Sequence, residues 1–169
     1  MQTQLPETMN FMRQVERNYR YQGALLLSRL DRLSEVLLDN SGEIQVLIEF
    51  GTSVGFAGLK GSLSGSLPLE CQRCLQPMVL AVNSSFRFAF VQDEDDAELL
   101  PETFEPYLIE GEEQSLLSLL EDELLLSLPM VAMHETDCSG FMTRQAAQVK
   151  KEKEASHPFA ALKALKKDV

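Results

Sequence analysis

Apolar residues recur along this chain with two different periods, and the change between them separates helical from extended segments. Residues 8–17 carry a helical spacing, 21–27 read as a strand around Gly23, and 28–38 place Leu30, Leu33 and Leu37 on one face of a short helix. Asn40 and Gly42 end that unit. From Ile44 the period drops to two, with Ile44, Val46 and Ile48 alternating with Gln45, Leu47 and Glu49. Further extended runs at 54–59, 62–71 and 78–91 are separated by Gly or Pro, so the pattern predicts a meander of short strands. Leu63, Gly65 and Leu67 share a strand face there, as do Phe86, Phe88 and Phe90. Core packing is the ordinary reading of that phenylalanine stripe, and an exposed base-stacking platform is the sharper one.

The acidic run from Asp93 to Asp96 reads as a solvated loop and lacks the ligand order of a calcium-binding hand. Pro101 and Pro106 bracket an extended piece that ends at residues 107–109. Ser115 then caps a predicted helix through Leu128, with Leu116, Leu119, Leu120 and Leu124 in one stripe and Pro129 as its stop. Glu121, Asp122 and Glu123 fan around about 200° of that helix and read as a solvated face, with a partner contact as the alternative. The expected fold class is α+β: an antiparallel β-sheet meander flanked by helices, within a single domain over residues 1–140.

Residues 141–157 are mainly polar and read as a flexible or frayed helical linker. Residues 158–169 read as a short basic C-terminal helix: Pro158 suits its first turn, Phe159, Leu162 and Leu165 form one apolar edge, and Lys163, Lys166 and Lys167 supply charge. So short a helix needs a surface to fold against, either the protein's own core or a partner.

Composition narrows the class. Apolar residues make up 44% of 169 residues and charged residues 24%, the balance of a globular protein with a core of ordinary size. No apolar stretch approaches the roughly 18 to 20 residues of a membrane span, and the first residues lack a signal-peptide pattern, so a cytoplasmic protein without a membrane partner is expected. The net charge of −11 is unevenly spread. Residues 1–32 hold five arginines against three acids, 33–143 hold three basic side chains against twenty acids, and 144–169 hold seven basic side chains against three acids. An acidic body is repelled by nucleic acid at long range, so no DNA partner is expected, and any RNA contact falls to the basic ends. Arg13, Arg17, Arg20, Phe159, Lys163, Lys166 and Lys167 are the candidate contact residues. The alternative is an acidic surface that faces a basic protein.

One constellation carries possible chemistry. Cys71 and Cys74 form a Cys-x-x-Cys pair, and His134 and Cys138 form a His-x-x-x-Cys pair more than sixty residues later. Together they offer four ligands for a tetrahedral structural zinc site that would staple two distant parts of the fold; isolated cysteines that fill core space are the alternative. Three cysteines, an odd number, argue against a secreted disulfide framework. A thioredoxin-like redox role lacks the usual strand-to-helix context, because Cys74 leads to Pro77 and a strand. Arg73, between the cysteines, is placed to lower a thiol pKa or to contact phosphate. The scattered acids and two histidines form no compact hydrolytic constellation, so no enzyme is expected, with a zinc- or thiol-dependent enzyme as the weaker alternative.

Several segments, in order, resemble one family. They are Leu69 to Cys74, Leu100-Pro101-Glu102 with Glu105-Pro106, Glu121 to Pro129, His134 to Cys138, and the terminal run from Pro158 to Lys167. Together they look like the bacterial YceD family. The resemblance implies a non-enzymatic factor in large-subunit rRNA synthesis, processing or stability, with large-subunit rRNA, its precursor or a ribosomal protein as partner. It places the family's paired-cysteine pattern on Cys71 and Cys74 and its second pair on His134 and Cys138, where many members have cysteine in place of His134. Imidazole and thiolate both suit zinc. An acidic chaperone for a basic ribosomal protein, without direct RNA contact, is the alternative.

Overall fold

The computed structural model describes residues 5–140, 144, 145 and 147–150. In chain order the elements are β1 (Thr8–Met9), α1 (Phe11–Glu16), β2 (Arg20–Leu26), a 3-10 turn (Leu27–Arg29), α2 (Asp31–Ser34), β3 (Glu43–Ser53), β4 (Phe56–Glu70) and β5 (Pro77–Val91). They are followed by α3 (Glu94–Glu98), β6 (Glu105–Leu108), β7 (Gln114–Ser115) and α4 (Leu116–Leu126). The α+β expectation holds: β2, β3, β4 and β5 form an antiparallel meander, β6 adds a parallel edge beside β5, and β1 pairs with β7 in a separate two-stranded clasp.

The period of two read from Ile44 onward sets the sheet's two faces. Ile44, Val46, Ile48 and Phe50 point into the core with Leu59, Leu63, Leu67, Val82, Phe86 and Phe88. The phenylalanine stripe is therefore core. A fully buried aliphatic or aromatic side chain is worth about 1.5–3 kcal/mol, so this face is the main source of stability. Phe11 of α1 docks on it, with ring centroids 5.3 Å from Phe50, 5.4 Å from Phe90 and 5.5 Å from Tyr107. Leu116, Leu117, Leu119, Leu120 and Leu124 of α4 close the same core. The opposite face, with Arg20, Gln22, Gln45, Glu49, Lys60 and Arg87, is exposed or half-exposed.

Four local expectations are corrected. The runs at 54–59 and 62–71 are parts of one fifteen-residue strand that begins after the Val54-Gly55 turn. Gly61, taken as a turn signal, is a close approach instead. A Cβ on it would lie 2.5 Å from the Phe86 ring, and one on Gly58 in the same strand would lie 2.1 Å from the Phe88 carbonyl oxygen. The helix expected over 28–38 shrinks to Asp31–Ser34, because Leu30 is extended at φ −111° and ψ 91° while Val36 and Leu38 stay exposed. The acidic loop at 93–96 is instead the start of α3, with the Asp93 side chain accepting from the Asp96 N–H as its N-cap.

The fourth correction concerns Glu121 and Glu123, which are buried rather than solvated. Glu121 accepts hydrogen bonds from the Leu33 backbone N–H at 3.0 Å and from Arg32 Nε at 2.9 Å, while the Asp122 carboxylate takes Arg32 Nη1 at 2.7 Å. α2 has no side-chain cap of its own, so α4 caps it from outside. In the linker expected over 141–157, residues 144, 145 and 147–150 are helical. The basic helix expected at 158–169, with Phe159, Lys163, Lys166 and Lys167, lies outside the described residues.

Candidate metal centre

The first ligand pair sits on the reverse turn between β4 and β5. Cys71 follows the last residue of β4, the Leu75 N–H donates to the Cys71 carbonyl at 2.8 Å, and the Cys71 N–H donates to the Gln76 carbonyl at 3.0 Å. Leu75 takes the left-handed conformation this tight turn requires, at φ +58°, and its side chain is exposed. The second pair arrives on the strand-less arm after α4. Ser115 starts that helix by accepting from the Ser118 N–H, and Pro129 prevents its continuation. The arm then runs back to the turn, where the Gln72 N–H donates to the Ala132 carbonyl at 2.8 Å.

The four side chains named from the sequence converge. Their ligand atoms, on Cys71, Cys74, His134 and Cys138, all lie within 4.8 Å of one another. Cys71 Sγ is 3.6 Å from Cys138 Sγ, and Cys74 Sγ is 3.5 Å from His134 Nδ1. A tetrahedron with Zn–S of about 2.3 Å has edges of about 3.7 Å, close to these two separations. The three cysteines are free thiols rather than disulfides. The imidazole is oriented as well: His134 Nε2 lies 3.2 Å from the Pro77 carbonyl oxygen, which can only accept, so Nε2 carries the proton and Nδ1 is left as the ligand.

The electrostatics favour thiolates at Cys71 and Cys138. Burial pushes the Cys71 thiol up, but the backbone N–H groups of His134, Cys74 and Arg73 and the Cys138 side chain outweigh it and bring its pKa down to about 5. Burial also opposes ionisation of Cys138, yet Arg73, Cys74 and His134 lower its pKa, whereas burial and the neighbouring sulfurs raise that of Cys74. His134 is raised by its hydrogen bonds to Cys138 and Cys71. This arrangement concentrates negative charge where a cation would sit. Arg73 neutralises part of it: Nε is 3.2 Å from Cys138 Sγ, and Nη2 donates to the His134 carbonyl at 2.8 Å and to the Thr136 carbonyl. Three thiolates, a neutral imidazole and a divalent ion would leave one negative charge beside that guanidinium. The cluster has the composition and spacing to hold a metal ion.

The remaining candidates are not gathered here. Arg13 and Arg17 lie exposed on and just after α1, and Arg20 pairs with Glu49 at 3.1 Å on the open face of the sheet. Arg29 donates to the Leu5 carbonyl, so it and Arg32 belong to the framework. The Pro77 carbonyl was not read from the sequence as part of the site; the signal was its position three residues past Cys74, where a strand must start back along β4.

The profile of a family described as "Large ribosomal RNA subunit accumulation protein YceD" matches residues 59–166. A protein of Haemophilus influenzae named large ribosomal RNA subunit accumulation protein YceD is 33% identical over 167 residues, which cover 96% of each chain. No solved structure matches significantly.

Proposed function

The chain belongs to the YceD family, and on that premise we propose that it is a non-enzymatic binding factor in the accumulation of large-subunit ribosomal RNA. Its partner is then the large-subunit rRNA, its precursor or a ribosomal protein. The observation that carries a binding role over a catalytic one is the closed set of Cys71, Cys74, His134 and Cys138. A zinc ion held by four protein ligands has no open position for water or substrate, so the site is structural. When bound, zinc would lock the β4–β5 turn to the arm after α4. In this reading residues 1–140 are the rigid domain, 141–157 a linker, and Arg13, Arg17, Arg20 and the basic residues 158–169 are contact elements.

Two measurements test this. Elemental analysis of protein purified under reducing, chelator-free conditions should give one zinc per chain, and its absence would remove the staple. Tagged protein captured from native lysate should enrich large-subunit precursor rRNA, and RNase should abolish that enrichment. A chain ending at Gly140 should capture less; equal capture would refute the assignment of the tail.

A second reading rests on the charge of residues 33–143, three basic side chains against twenty acidic. It makes the acidic body a chaperone surface for a basic ribosomal protein. Salt-sensitive recovery of one such protein after complete RNase digestion would favour it over direct RNA contact.

A further inference from the structure

Only three basic side chains lie between residues 33 and 143, and the sheet register brings two of them side by side. Lys60 pairs with Glu49 on one side and with Arg87 on the other, and Arg20 on β2 pairs with the same Glu49. Residues opposite each other in an antiparallel ladder project to one face, so Arg20, Glu49, Lys60 and Arg87 form a continuous row across four strands. It crosses the exposed face of the sheet, away from the core.

The row carries three cations and one anion on a chain whose net charge is −11. Glu49 bridges two of the cations, at 3.1 Å to Arg20 and 2.7 Å to Lys60, and both remain about 60% exposed. Arg87 lies with its guanidinium carbon 5.6 Å from the centroid of the Phe104 ring, within cation–π range. Beside the row is a depression of about 430 Å³ lined in part by Arg20, Lys60, Arg87, Phe56 and Thr52. Further along, the same face is a strip of short polar side chains, with Ser62 opposite Ser85 and Ser64 opposite Asn83. These four side chains are uncharged, although Glu49 and Glu105 line the depression that holds Ser62 and Ser85 beside Lys60 and Arg87.

We propose that this open sheet face binds a single-stranded RNA segment, with its phosphates on Arg20, Lys60 and Arg87. Charge complementarity selects a polyanion, since the row is a cationic island in an otherwise acidic body. A sheet offers a regular surface along which an extended strand can lie, and a guanidinium beside an aromatic ring presents its N–H groups to a phosphate and the ring to a base. The short hydroxyl and amide side chains leave room for the ribose and supply partners for its 2′-hydroxyl. The inference rests on the RNA reading of the proposed function and moves part of the contact from the chain ends to the sheet. Lys60 is eleven residues from Cys71 along β4, about 36 Å at strand rise, so the row and the metal cluster can be perturbed independently.

The test is fluorescence anisotropy of the full-length protein with a labelled oligouridylate of about 12 nucleotides, between about 50 and 200 mM salt. A Lys60→Gln/Arg87→Gln double variant should bind at least about tenfold more weakly, with the slope of log affinity against log salt reduced by about 1.4 for two lost phosphate contacts. Glu49→Gln, which removes the anion, should bind more tightly than wild type. Thermal melting of each variant controls for folding, and both exposed substitutions should leave the melting temperature nearly unchanged. Undiminished binding by the double variant would overturn the sheet-face inference while leaving an RNA reading through the termini intact. Absence of oligonucleotide binding by wild type would also overturn it, and RNase-sensitive capture of precursor rRNA would then show whether the wider RNA reading fell with it. Loss of a captured protein from RNase-treated lysate on the same double substitution, with oligonucleotide binding unchanged, would make the face a protein-docking surface instead.

Discussion

Replacing Glu121 with alanine should cost far more than its place in an acidic triplet suggests. The carboxylate is 6% exposed and accepts from the fully buried Leu33 N–H at 3.0 Å, in the first turn of a helix with no side-chain cap of its own. Truncation leaves that N–H without a partner and out of reach of water, a loss of about 1–3 kcal/mol. The ion pair with Arg32 adds little, because the arginine side chain is 51% exposed and keeps its 2.7 Å contact with Asp122. The loss is therefore set by the buried N–H, about 1–3 kcal/mol. With a urea dependence of about 2 kcal/mol per molar, the unfolding midpoint should fall by about 0.5–1.5 M. Arg32→Ala, which leaves the buried N–H satisfied, should move it by less than about 0.5 M. Glu121→Gln, which keeps an acceptor oxygen, should fall between the two. Equal midpoints for Glu121→Ala and Arg32→Ala would refute the reasoning, since they would show that the backbone cap contributes nothing.

Gly61→Val should destabilise by about 1–3 kcal/mol in the same assay, because the new Cβ would lie 2.5 Å from the Phe86 ring and 2.9 Å from the Leu47 carbonyl oxygen; wild-type stability would mean that β3 or β5 yields at this point. Burial raises the pKa of Glu123, with the charges of Glu105 and Asp122 adding to it, so the native state disfavours the ionised form. The penalty is complete above the raised native pKa and vanishes as pH falls below the ordinary carboxylate value, so Glu123→Gln should raise the melting temperature by a few degrees at pH 7 and by progressively less on acidification. A gain that grew in acid would contradict this sign. His134→Cys should retain one zinc per chain while His134→Ala should lose it to mild chelation, as read by elemental analysis; equal retention by both would remove His134 from the ligand set.

The cluster of four side chains was legible because its signal is chemical identity at short spacing: Cys71 with Cys74, and His134 with Cys138. That the pairs meet depends on the β4–β5 hairpin and on the arm after α4, and the terminator Pro129 marked the start of that arm. The core face of β3 and the helix from Ser115 were equally plain, since one apolar period ran through each. Gly61 misled because a glycine that admits a neighbouring ring has the same letter as one that makes a turn. Glu121 looked solvated because nothing local shows that Leu33, eighty-eight residues earlier, would need an acceptor there. The row of Arg20, Lys60 and Arg87 was hidden for a related reason: each is one basic residue in its own strand, and only the register makes them neighbours.

The clasp of Thr8 with Ser115 and Met9 with Gln114 sets an order in time as the chain is made. The first strand can find its partner only after more than a hundred further residues have emerged, and the Cys71 and Cys74 turn waits for 60 residues beyond Cys74 before His134 follows. At synthesis rates of about 5–20 residues per second, the turn spends several seconds with two thiols and half a coordination set exposed. Closure of the four side chains is thus a late event within residues 8–138, and a chain released before it has neither the clasp nor the gathered cluster, which gives proteases a direct way to tell folded molecules from truncated ones.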